Sequence, residues 1–292
     1  MSWRTVIISS QAKLDSKMGY LVIRSDETKR IFLDEIATVV IENPAVAITG
    51  CLIEALTERK IKLIFCDSKR NPAAELIPHH GSHDSSSKIR TQIAWNTESK
   101  AEVWREIVKE KIRKQAEFLL VRGKESEASM LASYITQVEP MDVSNREGHA
   151  AKVYFNAIFG MDFIRGSDDP VNSALNYGYS LILSAFNREI SANGYLTQLG
   201  ICHDNMFNHF NLGCDLMEPF RIAADRVVCS LGKMTEFTTE IKHSLWHILE
   251  KTVYIDSAQQ TLLNAIKIYT KSVFDAIEQN DISKIKFYSY NL

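Results

Sequence analysis

Short β-branched runs occupy the first quarter of the chain: Thr5 to Ser9, Tyr20 to Arg24, Arg30 to Leu33, Thr38 to Glu42, Lys62 to Cys66 and Ala73 to Ile77. Polar residues or Gly, Asn and Asp breaks separate them, so each run predicts a strand, and Gly50 to Arg59 predicts a helix among them. Pro78 to Ser87 combines breakers, histidines and serines without an apolar period and predicts a linker. A solvated hinge accounts for its His79, His80 and His83 better than a metal site does. From residue 88 the period becomes helical. Trp104, Ile107, Val108, Lys111, Ile112, Gln115, Ala116 and Leu119 share one face, on which the lysine and glutamine mark a partly wet stripe. Ser144 to Phe159, Val171 to Ala192, Thr238 to Lys251 and Ser257 to Gln279 predict further helices. The expected architecture is α+β: a small mainly-β domain over 1–77, a linker over 78–87 and a larger all-α domain over 88–292.

Composition adds bounds. The 292 residues are 45% hydrophobic and 24% charged, the balance of a chain that folds around a core. No apolar run reaches the length of a membrane span, and the N-terminal residues lack a signal-peptide pattern, so a cytoplasmic protein is expected. Five cysteines without a Cys-x-x-Cys pair argue against a disulfide scaffold or zinc ribbon. The formal net charge of −2 exerts no general pull on polyanions, so a nucleic-acid surface would have to gather its charge locally. Arg105 to Lys124 carries seven basic residues against three acids, which fits either a DNA-holding strip or a solvated helix face with internally paired charges.

Three distant segments carry candidate chemistry: Asn145 to Ala151, Gly200 to His203 and Asp215 to Arg221. Together they supply carboxylates and an imidazole, the donors that a hard cation such as Mg²⁺ or Mn²⁺ accepts. Each has a plain alternative. Ser144 to Glu147 fits a capping box in which the glutamate reaches back to the serine amide, and Asp215 to Pro219 fits a second helix start. His203 alone could be a satisfied polar residue in a turn. Asp215 and Glu218 are three apart on one side of a helical turn, with Arg221 three further on, placed to neutralise a carboxylate or clamp a phosphate. Cys202, His203, His209 and Cys214 offer a rival zinc set, without the paired short spacing of zinc motifs.

The segments Asn145-Arg146-Glu147-Gly148-His149-Ala150-Ala151, Asn172-Ser173-Ala174-Leu175-Asn176-Tyr177-Gly178-Tyr179, His203, and Asp215-Leu216-Met217-Glu218-Pro219-Phe220-Arg221 resemble, in order and spacing, the universal CRISPR-associated spacer-acquisition integrases. The wording is most similar to their type II-A branch, and the likeness runs over nearly the whole chain, including Trp3-Arg4-Thr5. It implies a metal-dependent DNA endonuclease and integrase whose catalytic and metal-binding residues are Glu147, His203 and Glu218. Asp215, Arg221 and His149 would support that site, while on charge alone the basic residues Lys109, Lys111, Arg113, Lys114 and Arg146 are the expected DNA-holding set. The cofactor would be Mg²⁺ or Mn²⁺. The partners would be a second copy through the β-rich domain, a small ferredoxin-like CRISPR adaptation protein whose dimer bridges two such dimers, other type II-A adaptation proteins, duplex DNA with 3′ overhangs and CRISPR repeat DNA. Ile222 stands where relatives often carry proline, which puts local backbone stiffness in doubt. A stand-alone metal-dependent nuclease and a non-catalytic scaffold whose acids only cap helices are the alternatives.

Overall fold

A computed structural model of the chain describes residues 4–68, 70–76 and 82–290. The chain divides into two compact units, Met1–His83 and Asp84–Leu292.

The first unit contains two four-stranded sheets. Its strands are β1 (Arg4–Ile8), β2 (Lys13–Lys17), β3 (Tyr20–Arg24), β4 (Thr28–Phe32), β5 (Ile36–Ile41), β6 (Ala47–Ile48), β7 (Lys62–Cys66) and β8 (Pro72–Leu76), with α1 (Gly50–Glu58) between β6 and β7. One sheet runs β1-β5-β7-β8, parallel except for β7 with β8; the other runs β4-β3-β2-β6. Strand β5 is buried along its whole length, as a central strand covered on both faces must be, and its sequence Ile-Ala-Thr-Val-Val-Ile is correspondingly unbroken in small and apolar residues. Leu52 and Leu56, one turn apart on α1, pack into the same core as Leu14, Leu21, Val39 and Leu63. Thr49 starts α1 by accepting the Leu52 N–H at 3.4 Å. Strand β2 is absent from the sequence-based expectation because Lys-Leu-Asp-Ser-Lys carries a single apolar residue; its pairing with β3 makes it a strand. Trp3, Ile77, His79 and His80 lie outside the described residues, as does Gly81.

The second unit is largely helical: α2 (Ser85–Ile93), α3 (Thr97–Val121), α4 (Glu125–Ile135), α5 (Arg146–Phe159), α6 (Pro170–Ala192), α7 (Asn211–Met217), α8 (Ile222–Ser230), α9 (Thr239–Trp246) and α10 (Leu262–Gln279). Helix α3 packs against α4, α5, α7, α8 and α10, which makes it the element on which distant segments meet. Three boundaries differ from expectation. Helix α2 begins at Ser85, inside the predicted linker. Helix α9 gives way to a 3₁₀ turn over His247–Glu250. Residues 252–261 form a hairpin, β9 (Thr252–Ile255) with β10 (Ala258–Thr261), instead of opening the last helix. Its two-residue turn places Asp256 and Ser257 at φ 53° and 60°, a left-handed pair that joins antiparallel strands tightly and that no glycine or asparagine announced in the sequence. Among the described residues no helix is long and apolar enough to cross a membrane.

Candidate active site

Glu147 begins from an unexpected cap. The N-cap residue of α5 is Asn145, at φ 52°, whose Oδ1 accepts the Gly148 N–H at 3.2 Å. Asp142 accepts the next two free amides, Arg146 N–H and Glu147 N–H, each at 2.9 Å. The capping box predicted for Ser144 and Glu147 is therefore not formed, because Asn145 and Asp142 already satisfy the helix start. The Glu147 side chain is left for other work, and Lys111 Nζ on α3 donates to its Oε1 at 2.5 Å.

The second carboxylate arrives from the turn after α7. Glu218 is buried, and its two oxygens have separate partners: Lys111 Nζ donates to Oε2 at 2.5 Å, and Arg221 Nε donates to Oε1 at 2.9 Å. Burial alone would favour the neutral acid, but Arg221 and Lys111 hold the Glu218 pKa well below the ordinary carboxylate range. Burial likewise pulls the Lys111 ammonium down, and Glu218 and Glu147 reverse that, leaving it above its usual value. Arg221 also lies over the Tyr179 ring, 4.7 Å from its centroid.

The imidazole is set by Asp215. That carboxylate is fully buried inside α7 and accepts the backbone N–H groups of Ile201, Cys202 and His203 at 2.6, 3.0 and 3.1 Å, so it shapes the loop instead of capping its own helix. Its Oδ1 lies 2.5 Å from His203 Nδ1, which fixes the proton there and leaves Nε2 as the free nitrogen. The bond to Asp215 raises the His203 pKa against partial burial. Trp104 on α3 meets the ring edge-on, with centroids 5.8 Å apart. Gly200 permits the loop to pass this close: a Cβ there would overlap the His203 carbonyl oxygen and stand 2.7 Å from Asp215 Oδ2.

Glu147, His203 and Glu218 line one cavity of ≈ 300 Å³ with Lys111, Gln115, Phe155, Arg165, Tyr179, Arg221 and Asp225. Asp225 accepts the hydroxyls of Tyr179 at 2.6 Å and Tyr154 at 3.0 Å, and burial raises its pKa to about 6 against those bonds. Among the described residues no three His, Cys, Asp or Glu side chains stand ready to grip a metal ion, and this includes Cys202, His203, His209 and Cys214. The donor set of two carboxylates and an imidazole nevertheless suits a hard divalent cation, and the ammonium of Lys111 marks a point at which both carboxylates already converge on positive charge.

The remaining expected residues divide. His149 is exposed and outside the cavity lining. The basic stretch of α3 is laced with internal pairs: Lys111 is 9% exposed and holds the two glutamates. Lys114 is buried against Glu110 at 2.9 Å and the Tyr288 carbonyl, Lys109 pairs with Glu106 at 2.9 Å, and the exposed Arg113 pairs with Glu110. Arg146 stacks over Tyr134 at 5.7 Å. Sequence reasoning placed Lys111 with DNA, although its position on the apolar stripe was the available signal for a buried ion pair. Nothing in the sequence singled out Asp225, Arg165 or Asp142.

A mostly helical unit in which α3 gathers two acids and a histidine from three later segments defines the class of fold and site. Residues 5–258 match the family described as CRISPR associated protein Cas1. The chain belongs to that family. It is 32% identical to the CRISPR-associated endonuclease Cas1 of Neisseria meningitidis serogroup C (strain 8013), over 98% of this chain and 96% of that relative. Its fold is similar to a casposase bound to integration product, with TM-score 0.75 and 18% identity over 97% of this chain and 94% of that one. It is also similar to a chain of a partial Cas6-RT-Cas1–Cas2 complex, with TM-score 0.67 and 17% identity over 99% of both. These matches assign the family and not the type II-A branch.

Proposed function

We propose that this chain is a cytoplasmic CRISPR adaptation integrase that joins the 3′-hydroxyl ends of short DNA fragments to phosphates at the edges of a CRISPR repeat. The observation that carries the proposal is the arrival of Glu147, His203 and Glu218, from three distant segments, on one cavity. Membership of the family, the endonuclease name of the Neisseria relative and the casposase fold support the same reading.

Glu147, His203 Nε2 and Glu218 would hold Mg²⁺ or Mn²⁺, which when bound acts as a Lewis acid toward a phosphate oxygen and stabilises a departing 3′-oxygen. Asp215 keeps the His203 proton on Nδ1, so Nε2 serves only while the ring is neutral; cation affinity should fall as pH drops through the raised His203 pKa. Arg221 holds Glu218 ionised and in one orientation. In the joining step the 3′-hydroxyl oxygen forms a new bond to phosphorus as the bond to the repeat's 3′-oxygen breaks, and the proton lost by the attacker ends on the leaving group. One phosphodiester replaces another, so no nucleotide fuel is needed. Water in place of the hydroxyl gives endonuclease cleavage at the same centre.

We further infer, from the family resemblance, a homodimer through the β-rich unit, with a small ferredoxin-like partner dimer bridging two such dimers on DNA. The test is an integration assay with a supercoiled repeat-bearing plasmid, a short duplex, the small partner and Mg²⁺ or Mn²⁺. Glu147→Ala, His203→Ala and Glu218→Ala should each reduce joining to background with DNA binding retained. Joining by all three variants would overturn the site assignment, and cutting that ignores both the partner and the repeat ends would favour a stand-alone nuclease.

A further inference from the structure

A divalent cation and an ammonium cannot share one point. Lys111 Nζ lies 2.5 Å from Glu147 Oε1 and 2.5 Å from Glu218 Oε2. An ion bonded to the same two oxygens would compete with the ammonium for them, and two positive charges so close would repel. Arg221 is not in conflict, because it engages the other oxygen of Glu218. Loading the proposed site is thus an exchange at Lys111 alone.

The structure also contains a place for the displaced group. Gln115 lies one turn along α3 from Lys111, on the same face, and both line the cavity. Gln115 is 4% exposed, and its Oε1 is buried with no hydrogen-bond partner among the described residues. A buried acceptor without a donor is costly and uncommon, so it points to a donor that arrives in another state. The four-carbon lysine stem can swing while its helix stays still, which a stacked arginine could not do as freely.

We propose that Lys111 is the built-in counter-ion of the catalytic carboxylates, and that a divalent cation entering between Glu147 and Glu218 drives its ammonium across the cavity to Gln115 Oε1. This rests on the metal reading of the site given above. In the metal-free state the lysine neutralises Glu147 and the oxygen of Glu218 that Arg221 does not reach. In the loaded state it stands beside Gln115 as a positive group facing the cavity that receives the substrate phosphate. The cation and the lysine exclude each other, so each weakens the other's hold on the carboxylates by the same factor.

Trace acetylation of the full-length wild-type chain with limiting acetic anhydride, at fixed pH, reads the exchange directly. The labelling ratio of Lys111 to Lys109, a neighbour on the same helix, should rise roughly 5-fold or more between EDTA and saturating Mn²⁺. Calorimetry should show Lys111→Met binding Mn²⁺ more tightly than wild type and Gln115→Leu binding it more weakly. An unchanged or falling Lys111 ratio at saturation would overturn the exchange, since a bystander ammonium would stay with its carboxylates; this reading needs no variant to fold. Titration of Glu218→Gln separates the two failures. Mn²⁺ bound equally by wild type and Glu218→Gln would remove the metal site and the exchange together. Mn²⁺ bound by wild type alone, with constant labelling, would remove the exchange and leave the site.

Discussion

Two of the lysines buried against carboxylates, Lys62 and Lys111, occupy places with different meanings. In the first unit Lys62 on β7 pairs with Glu75 on the adjacent strand β8, both of them largely buried. In the second, Lys111 pairs with Glu147 and Glu218, drawn from a helix start and a turn far along the sequence. The first pair is local, joining neighbouring strands of one sheet. The second opens onto a cavity and shares it with a histidine and an arginine. Burial and charge are common to both, so neither marks a site; convergence of distant segments on an accessible hollow does.

Breaking the structural pair should give the largest effect on folding. Lys62→Met leaves a carboxylate without this partner and should cost about 3–5 kcal/mol in urea denaturation, with the Mn²⁺ affinity of the second unit unchanged. A loss of Mn²⁺ affinity in that variant would erase the contrast between the two lysines. Asp225 sharpens it further. Its pKa is raised from 3.8 to about 6, so the folded chain binds a proton there that the unfolded chain has released. The contribution is whole below pH 4 and is lost as pH rises through 6, about 3 kcal/mol in all. Asp225→Asn does not titrate, so its stability relative to wild type should improve by that amount between pH 4 and pH 7.5; parallel pH profiles would show that Asp225 is ionised throughout. The smallest effect is expected at Gly200. Gly200→Ala forces the loop off Asp215 and should cost about 1–3 kcal/mol, together with a shifted His203 imidazole resonance. An unmoved resonance would mean that the histidine is held by Trp104 and not by the loop.

The sequence announced those features that local chemistry controls. Strands β3 and β7 and helices α5 and α6 follow from β-branched runs, apolar period and end signals, and the acids and histidine of the cavity follow from matched segments. Legibility failed where the decisive partner is distant. Strand β2 is polar and exists through its neighbour, and the hairpin at 252–261 turns on left-handed aspartate and serine. Glu147 looked like a cap because Ser144 stands three residues before it, whereas Asp142 takes that role from further back. Lys111 carried the pattern of a buried residue and the charge of a surface one; only its two carboxylates, 36 and 107 residues away, resolve the conflict.

The turn before α5 places Met141, Asp142 and Asn145 in left-handed backbone, a conformation that non-glycine side chains seldom adopt. That contorted approach swings an aspartate beneath the opening coil of the helix, where it meets two amides at once. A chain entering by a relaxed path would leave those amides to water or to another nearby side chain, Glu147 among them. The awkward bend thus works as a spacer: it keeps a reactive carboxylate idle with respect to its own backbone so that something else can claim it.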